Sequence, residues 1–192
     1  SMDQLETLKI ALDQLRSVVV GLDESQMETA TNCEPWTARQ MASHAVNSQL
    51  LWVGFLSGTE IVSIEDTMSA KPYEGDLRPL TDDAIAQAQA AWGADGTLSK
   101  VHTTPFGELP GAAVINFPTI DAMGHAWDLA NATGATIEIP DAAIPGFAAV
   151  IENACTDGSR SMGLFGEPAD VPDDATATER LMAATGRTIP RH

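Results

Sequence analysis

The chain has 192 residues, 44% of them hydrophobic and only 5% aromatic. That length predicts one domain with a sizeable core, and so few aromatic side chains favour closely packed helices over a β-sandwich. Ten Lys and Arg against 27 Asp and Glu leave a net charge of −17, which repels phosphate backbones and anionic headgroups and argues against nucleic acid or a membrane surface as partner.

The first apolar stripe, Leu5, Leu8, Leu12, Leu15, Val19 and Leu22, alternates steps of three and four and predicts a helix that closes near Gly21. A second helix follows Thr37, whose hydroxyl and Gln40 three residues on form a capping box, with Trp36 and Met41 placed as a hydrophobic staple. It runs to Ser57-Gly58 and carries His44 and Ser48 on its apolar face. Residues 59–80, with Lys71-Pro72 and Arg78-Pro79, read as a loop, and Thr81-Asp82-Asp83 as the cap of a third helix through Trp92. Val101 to Gly111 reads as an extended, hairpin-like connector. A fourth helix, with Pro118 near its start, ends at Gly134 as its C′ residue; a fifth spans 141–157, and a short last one spans 175–185. No repeat or linker interrupts residues 2–192, so one domain is expected, with Ser1 set aside as an expression scar. No apolar run approaches the roughly 20 residues of a membrane span, and the start lacks the cationic flank and apolar core of a signal peptide. The expected location is cytoplasmic. Cys33 and Cys155 belong to no CxxC pair and read as buried or half-buried thiols.

Four histidines are present. His102 in its loop or strand and His192 at the terminus read as surface residues, whereas His44 and His125 lie inside helices. Asp121 and His125 are four apart, so their side chains share one helix face and can reach one ion, with His44 from a facing helix as third ligand. Two nitrogens and a carboxylate oxygen suit Zn²⁺, Ni²⁺ or Fe²⁺, and three protein ligands leave a coordination position open. Asp128, a turn beyond His125, is placed to orient an imidazole. Small residues beside the ligands, Gly124 and Ala45, would let the two helices approach. The alternative on pattern alone is a pair of hydrogen-bonded core histidines and a solvated Asp. HExxH, GxSxG and glycine-rich phosphate signatures are absent, and Ser48 beside His44 is a weaker candidate for a nucleophile with its base.

The run Cys33-Glu34-Pro35-Trp36-Thr37-Ala38-Arg39-Gln40-Met41-Ala42-Ser43-His44 resembles the opening of the second helix in actinobacterial DinB-like proteins. Asp121 to Gly134, with His125, Trp127-Asp128-Leu129-Ala130 and Ala132-Thr133-Gly134, is similar to a second signature of that group, as is the tail from Leu164 to Thr185-Gly186-Arg187. The resemblance implies an all-α, DinB/YfiT-like four-helix bundle with a short extended connector and an extra C-terminal helical segment. It further implies a relation to the metal-binding domain of mycothiol-dependent maleylpyruvate isomerase. The ligands implied are His44, Asp121 and His125, the first of the pair varying among His, Glu and Asp in relatives. Also implied are one divalent ion, zinc or nickel first, and a low-molecular-weight thiol such as mycothiol in an isomerase or transferase reaction on an electrophilic small molecule. The stretch 173–192 is short for the separate C-terminal domain of that isomerase, and no arginine cluster for a dicarboxylate stands out, so maleylpyruvate itself is not the expected substrate. Metal-assisted hydrolysis with Asp128 as base, and a non-catalytic metal-stabilised binding bundle, are the alternatives. Partners expected are a small-molecule substrate or thiol, with a homodimer as an open possibility.

Overall fold

The computed structural model describes residues 2–190; the readings of Ser1 as a scar and of His192 as a surface residue fall outside them. Helix α1 (Gln4–Val20) starts where the Asp3 carboxylate accepts from the Glu6 N–H, and it buries Leu8, Leu12, Leu15 and Val19. Helix α2 (Ala38–Ser57) has the expected capping box of Thr37 and Gln40, and ends on Gly58 at φ 72°. A short α3 (Ile64–Met68), capped by Ser63, lies inside the stretch read as a loop.

Helix α4 (Leu77–Gly93) begins four residues before the expected cap. Asp76 caps it, Pro79 occupies the first turn, where a missing N–H costs no helical bond, and Thr81 lies inside with its hydroxyl bonded back to the Leu77 carbonyl at 2.6 Å. Strands β1 (Val101–Thr104) and β2 (Gly107–Pro110) pair antiparallel, Val101 opposite Pro110, as the connector predicted. Helix α5 (Gly111–Val114) leads into α6 (Asn116–Ala132), whose end is closed by the Gly134 turn, with the Ala135 N–H returning to the Ala130 carbonyl at 2.8 Å. The fifth predicted helix is a 3₁₀ turn at Asp141–Ala143 and α7 (Ile144–Ala154), followed by a separate α8 (Asp157–Ser161). The last, α9 (Ala177–Ala184), is capped by Thr176 and Glu179.

The four long helices close on one another: α1 packs on α6, α6 on α2, α2 on α4, and α4 on α1. Trp92, Leu8, Leu12, Met41, Ile120 and Met123 fill the space between them. Helix α7 covers α6 and α1, and α9 rests on α7. Among the described residues no helix is long and apolar enough to cross a membrane.

Candidate metal centre

Helices α2 and α6 cross where His44 faces Asp121 and His125. The Asp121 Oδ1 stands 3.5 Å from Nε2 of His44 and 3.5 Å from Nε2 of His125. The imidazoles meet edge to face with centroids 4.9 Å apart, and the Trp36 ring covers them at 4.7 Å from His44 and 6.4 Å from His125.

Each imidazole is held by its far nitrogen. Nδ1 of His44 lies 2.7 Å from the Thr67 carbonyl of α3, and Nδ1 of His125 lies 3.0 Å from Oδ2 of Asp128. A carbonyl and a carboxylate only accept, so both Nδ1 atoms donate, and in the neutral ring the lone pair is on Nε2, turned toward Asp121. Asp128 is itself fixed. Its Oδ1 accepts from Asn32 Nδ2 at 2.8 Å and Arg187 Nε at 2.7 Å, and its Oδ2 from Arg187 Nη2 at 2.9 Å. Ser48 Oγ lies 3.4 Å from His44 Nε2.

The charges follow this packing. Burial alone would push the Asp121 carboxyl up, but the His125 imidazole, with His44 behind it, outweighs burial and holds the group well below the usual carboxylate range. Burial would lower His125; Asp121 and then Asp128 raise it instead to about 9. Asp128 resists the upward push of burial through Arg187 and His125 and also stays well below the ordinary range. In the metal-free protein the Asp121 and Asp128 carboxylates favour the imidazolium form of His125.

Three features fit a divalent ion. Donor atoms of His44, Asp121 and His125 all lie within 4.8 Å of one another. Ligands about 2.1 Å from a tetrahedral ion stand roughly 3.4 Å apart, close to the two 3.5 Å separations here. Asp121 Oδ2 is buried and finds no hydrogen-bond donor among the described residues, an expensive state for a carboxylate oxygen unless a cation meets it.

The remaining sequence readings divide. His102 is buried, with Nε2 at 2.9 Å from the Thr97 carbonyl, so its reading as a surface residue is corrected: a strand side chain alternates faces, and this one turns inward. Cys33 is half-buried and Cys155 buried, with the Cys155 thiol pushed up to about 11 by burial. Gly124 makes room for something other than a facing helix: a Cβ there would stand 2.6 Å from Arg187 Nη2. The sequence offers Arg187 only as part of the tail motif, with no role at the site, and gives no sign of Asn32 or the Thr67 carbonyl. A backbone acceptor leaves no mark in a sequence, and Arg187 lies 59 residues from Asp128. A cavity of about 630 Å³ lies away from the centre, between the end of α2, residues 57–64 and β1.

A sequence model of the mycothiol maleylpyruvate isomerase N-terminal domain family matches residues 8–130, which include all three candidate ligands and Asp128. The chain belongs to that family. Two uncharacterized proteins of Mycobacterium tuberculosis, from strains CDC 1551 / Oshkosh and H37Rv, are each 29% identical over 196 aligned positions, covering 98% of this chain and 100% of theirs. The crystal structures of the mycothiol-dependent maleylpyruvate isomerase and of a histidine-to-alanine mutant of it superpose with a TM-score of 0.63 at 20% identity, over 86% of this chain and 73% of each of theirs. At that identity the likeness is one of fold. Within this family member, α9 and Arg187 lie beyond the matched stretch.

Proposed function

We propose that the chain is a DinB-like, metal-dependent enzyme of the cytoplasm that uses a mycothiol-type thiol in an isomerase or transferase reaction on an electrophilic small molecule. Family membership supports the thiol, and the Asp121 carboxylate, with Oδ1 facing two oriented imidazoles and Oδ2 lacking a donor, carries the metal. His44, Asp121 and His125 would be the ligands, with zinc or nickel matching the two nitrogens and one oxygen. An ion held there would supply the positive charge that lowers the pKa of a bound thiol. Thr67 and Asp128 keep the two rings turned, and Trp36 shields one side of the centre from water.

Hydrolysis with Asp128 as general base is disfavoured by its bonds. The carboxylate accepts from Arg187 twice, from Asn32 and from His125, which leaves no oxygen directed at a substrate.

The test is metal content by mass spectrometry after incubation with Zn²⁺, beside a His125→Ala variant, followed by calorimetric titration of the loaded protein with mycothiol. We expect about one ion per chain, lost in the variant, and thiol binding only to the loaded form. No metal in the wild type would reduce His44 and His125 to core histidines. Metal without thiol binding would leave a structural ion in a non-catalytic binding bundle.

A further inference from the structure

The segment after α8 is tied down as a unit. The Gly166 N–H donates to the Thr185 carbonyl at 3.2 Å and the Ala169 N–H to the Ala183 carbonyl at 2.9 Å. Arg160 bridges the two runs through the Gly166 carbonyl at 2.9 Å and the Ala184 carbonyl at 2.6 Å. Gly186, at φ 101°, passes so close to Gly166 that a Cβ would stand 2.5 Å from its Cα. This packing delivers Arg187 onto α6, where its guanidinium lies over the bare backbone of Gly124, directly beside His125.

We propose that Arg187 is a positioning residue for the metal centre, so that docking of residues 163–190 and ion binding strengthen each other. The inference rests on the metal reading above. A carboxylate can turn about its terminal bond. Asp128 aims Oδ2 at Nδ1 of His125 because a planar fork grips both of its oxygens, at 2.7 and 2.9 Å. The fork's own rotation is checked by the Thr185 hydroxyl, 2.8 Å from Nη1. His125 in turn presents Nε2 to Asp121. Without the fork, Asp128 keeps a weaker hold through Asn32 alone, and the imidazole loses its fixed direction. Lysine supplies the charge but not the fork. Coupling of this kind is reciprocal: whatever factor the docked segment adds to ion affinity, the ion adds to docking.

An Arg–Asp pair that only staples the segment would change stability and leave ion affinity alone. Two variants separate these cases: Arg187→Lys keeps the charge, and Gly124→Ala pushes the guanidinium aside while favouring the helix. Zinc affinity would be read by competition with a chromophoric chelator, and hydrogen exchange of residues 163–190 would be followed with and without zinc. The expected result is about 10- to 100-fold weaker zinc binding at unchanged stoichiometry in Arg187→Lys, with zinc slowing exchange of the segment in the wild type and much less in the variant. Wild-type affinity in a folded Arg187→Lys overturns the proposal. Should that variant not fold, Gly124→Ala decides in the same way. A wild-type protein that takes no zinc fails at the first titration, before either variant is compared, and removes the metal reading and this inference together.

Discussion

His125 is held by two carboxylates on opposite sides, Asp121 at Nε2 and Asp128 at Nδ1, and this sets how the centre answers to pH. Its folded pKa of about 9 lies above the 6.5 of an ordinary histidine, against the downward pull of burial. A raised basic group contributes stability that is complete below the unfolded pKa and lost as pH rises through the folded one. The melting temperature of the metal-free protein should therefore fall between about pH 6.5 and pH 9. Because an ion must displace the Nε2 proton, zinc affinity should rise over the same window, with close to one proton released per ion at neutral pH. Titrations in buffers of different ionisation enthalpy would count that proton; none released means that His125 is neutral or not a ligand. Helical spacing made His44, Asp121 and His125 legible in the sequence because each lies on a periodic face. Arg187 was not, since it follows a helix end in a segment whose path only tertiary packing decides.

At the level of elements, caps and turns follow local chemistry, whereas a proline in a first helical turn does not stop the helix. The capping box of α2, the Gly134 turn after α6 and the β1–β2 hairpin all came from local chemistry, and each stands where expected. Helix α4 starts ahead of its expected cap because the step Arg78-Pro79 falls in the first turn, where the missing N–H of Pro79 has no consequence. Helix α3 escaped notice because its five residues show too little periodicity to register. The α2 cap offers a clean measurement. Thr37→Ala removes the acceptor of the Gln40 N–H, at 3.3 Å, and should cost about 1 kcal/mol. Chemical denaturation would register that loss. Metal binding should be unchanged, because His44 is oriented by Thr67 rather than by the cap.

For the whole molecule the dominant number is the net charge of −17. Its ion pairs on the surface, such as Lys9–Asp13 and Arg16–Asp82, have both partners about half exposed or more, so they offset little of the general repulsion. Raising NaCl from about 10 to 300 mM shortens the screening length from roughly 30 Å to well under 10 Å. The melting temperature should rise by a few degrees. A fall would mean that attractive pairs outweigh the like-charge field. The helical character of α1, α2, α4 and α6 is legible in the sequence, whereas the order in which they touch is not, because an apolar stripe shows which face is buried and not against what.

The clasp on Asp128 also has a place in time. A ribosome that has just added Asp128 has made all three candidate ligands, yet the guanidinium that grips Asp128 is still 59 residues away. At about 5–20 residues per second that interval is roughly 3–12 s. Through it, Asp128 is a carboxylate with no arginine to hold it, beside an imidazole free to turn. Helices α2 and α6 can meet during synthesis, but the centre takes its final geometry only after residue 187 has been made.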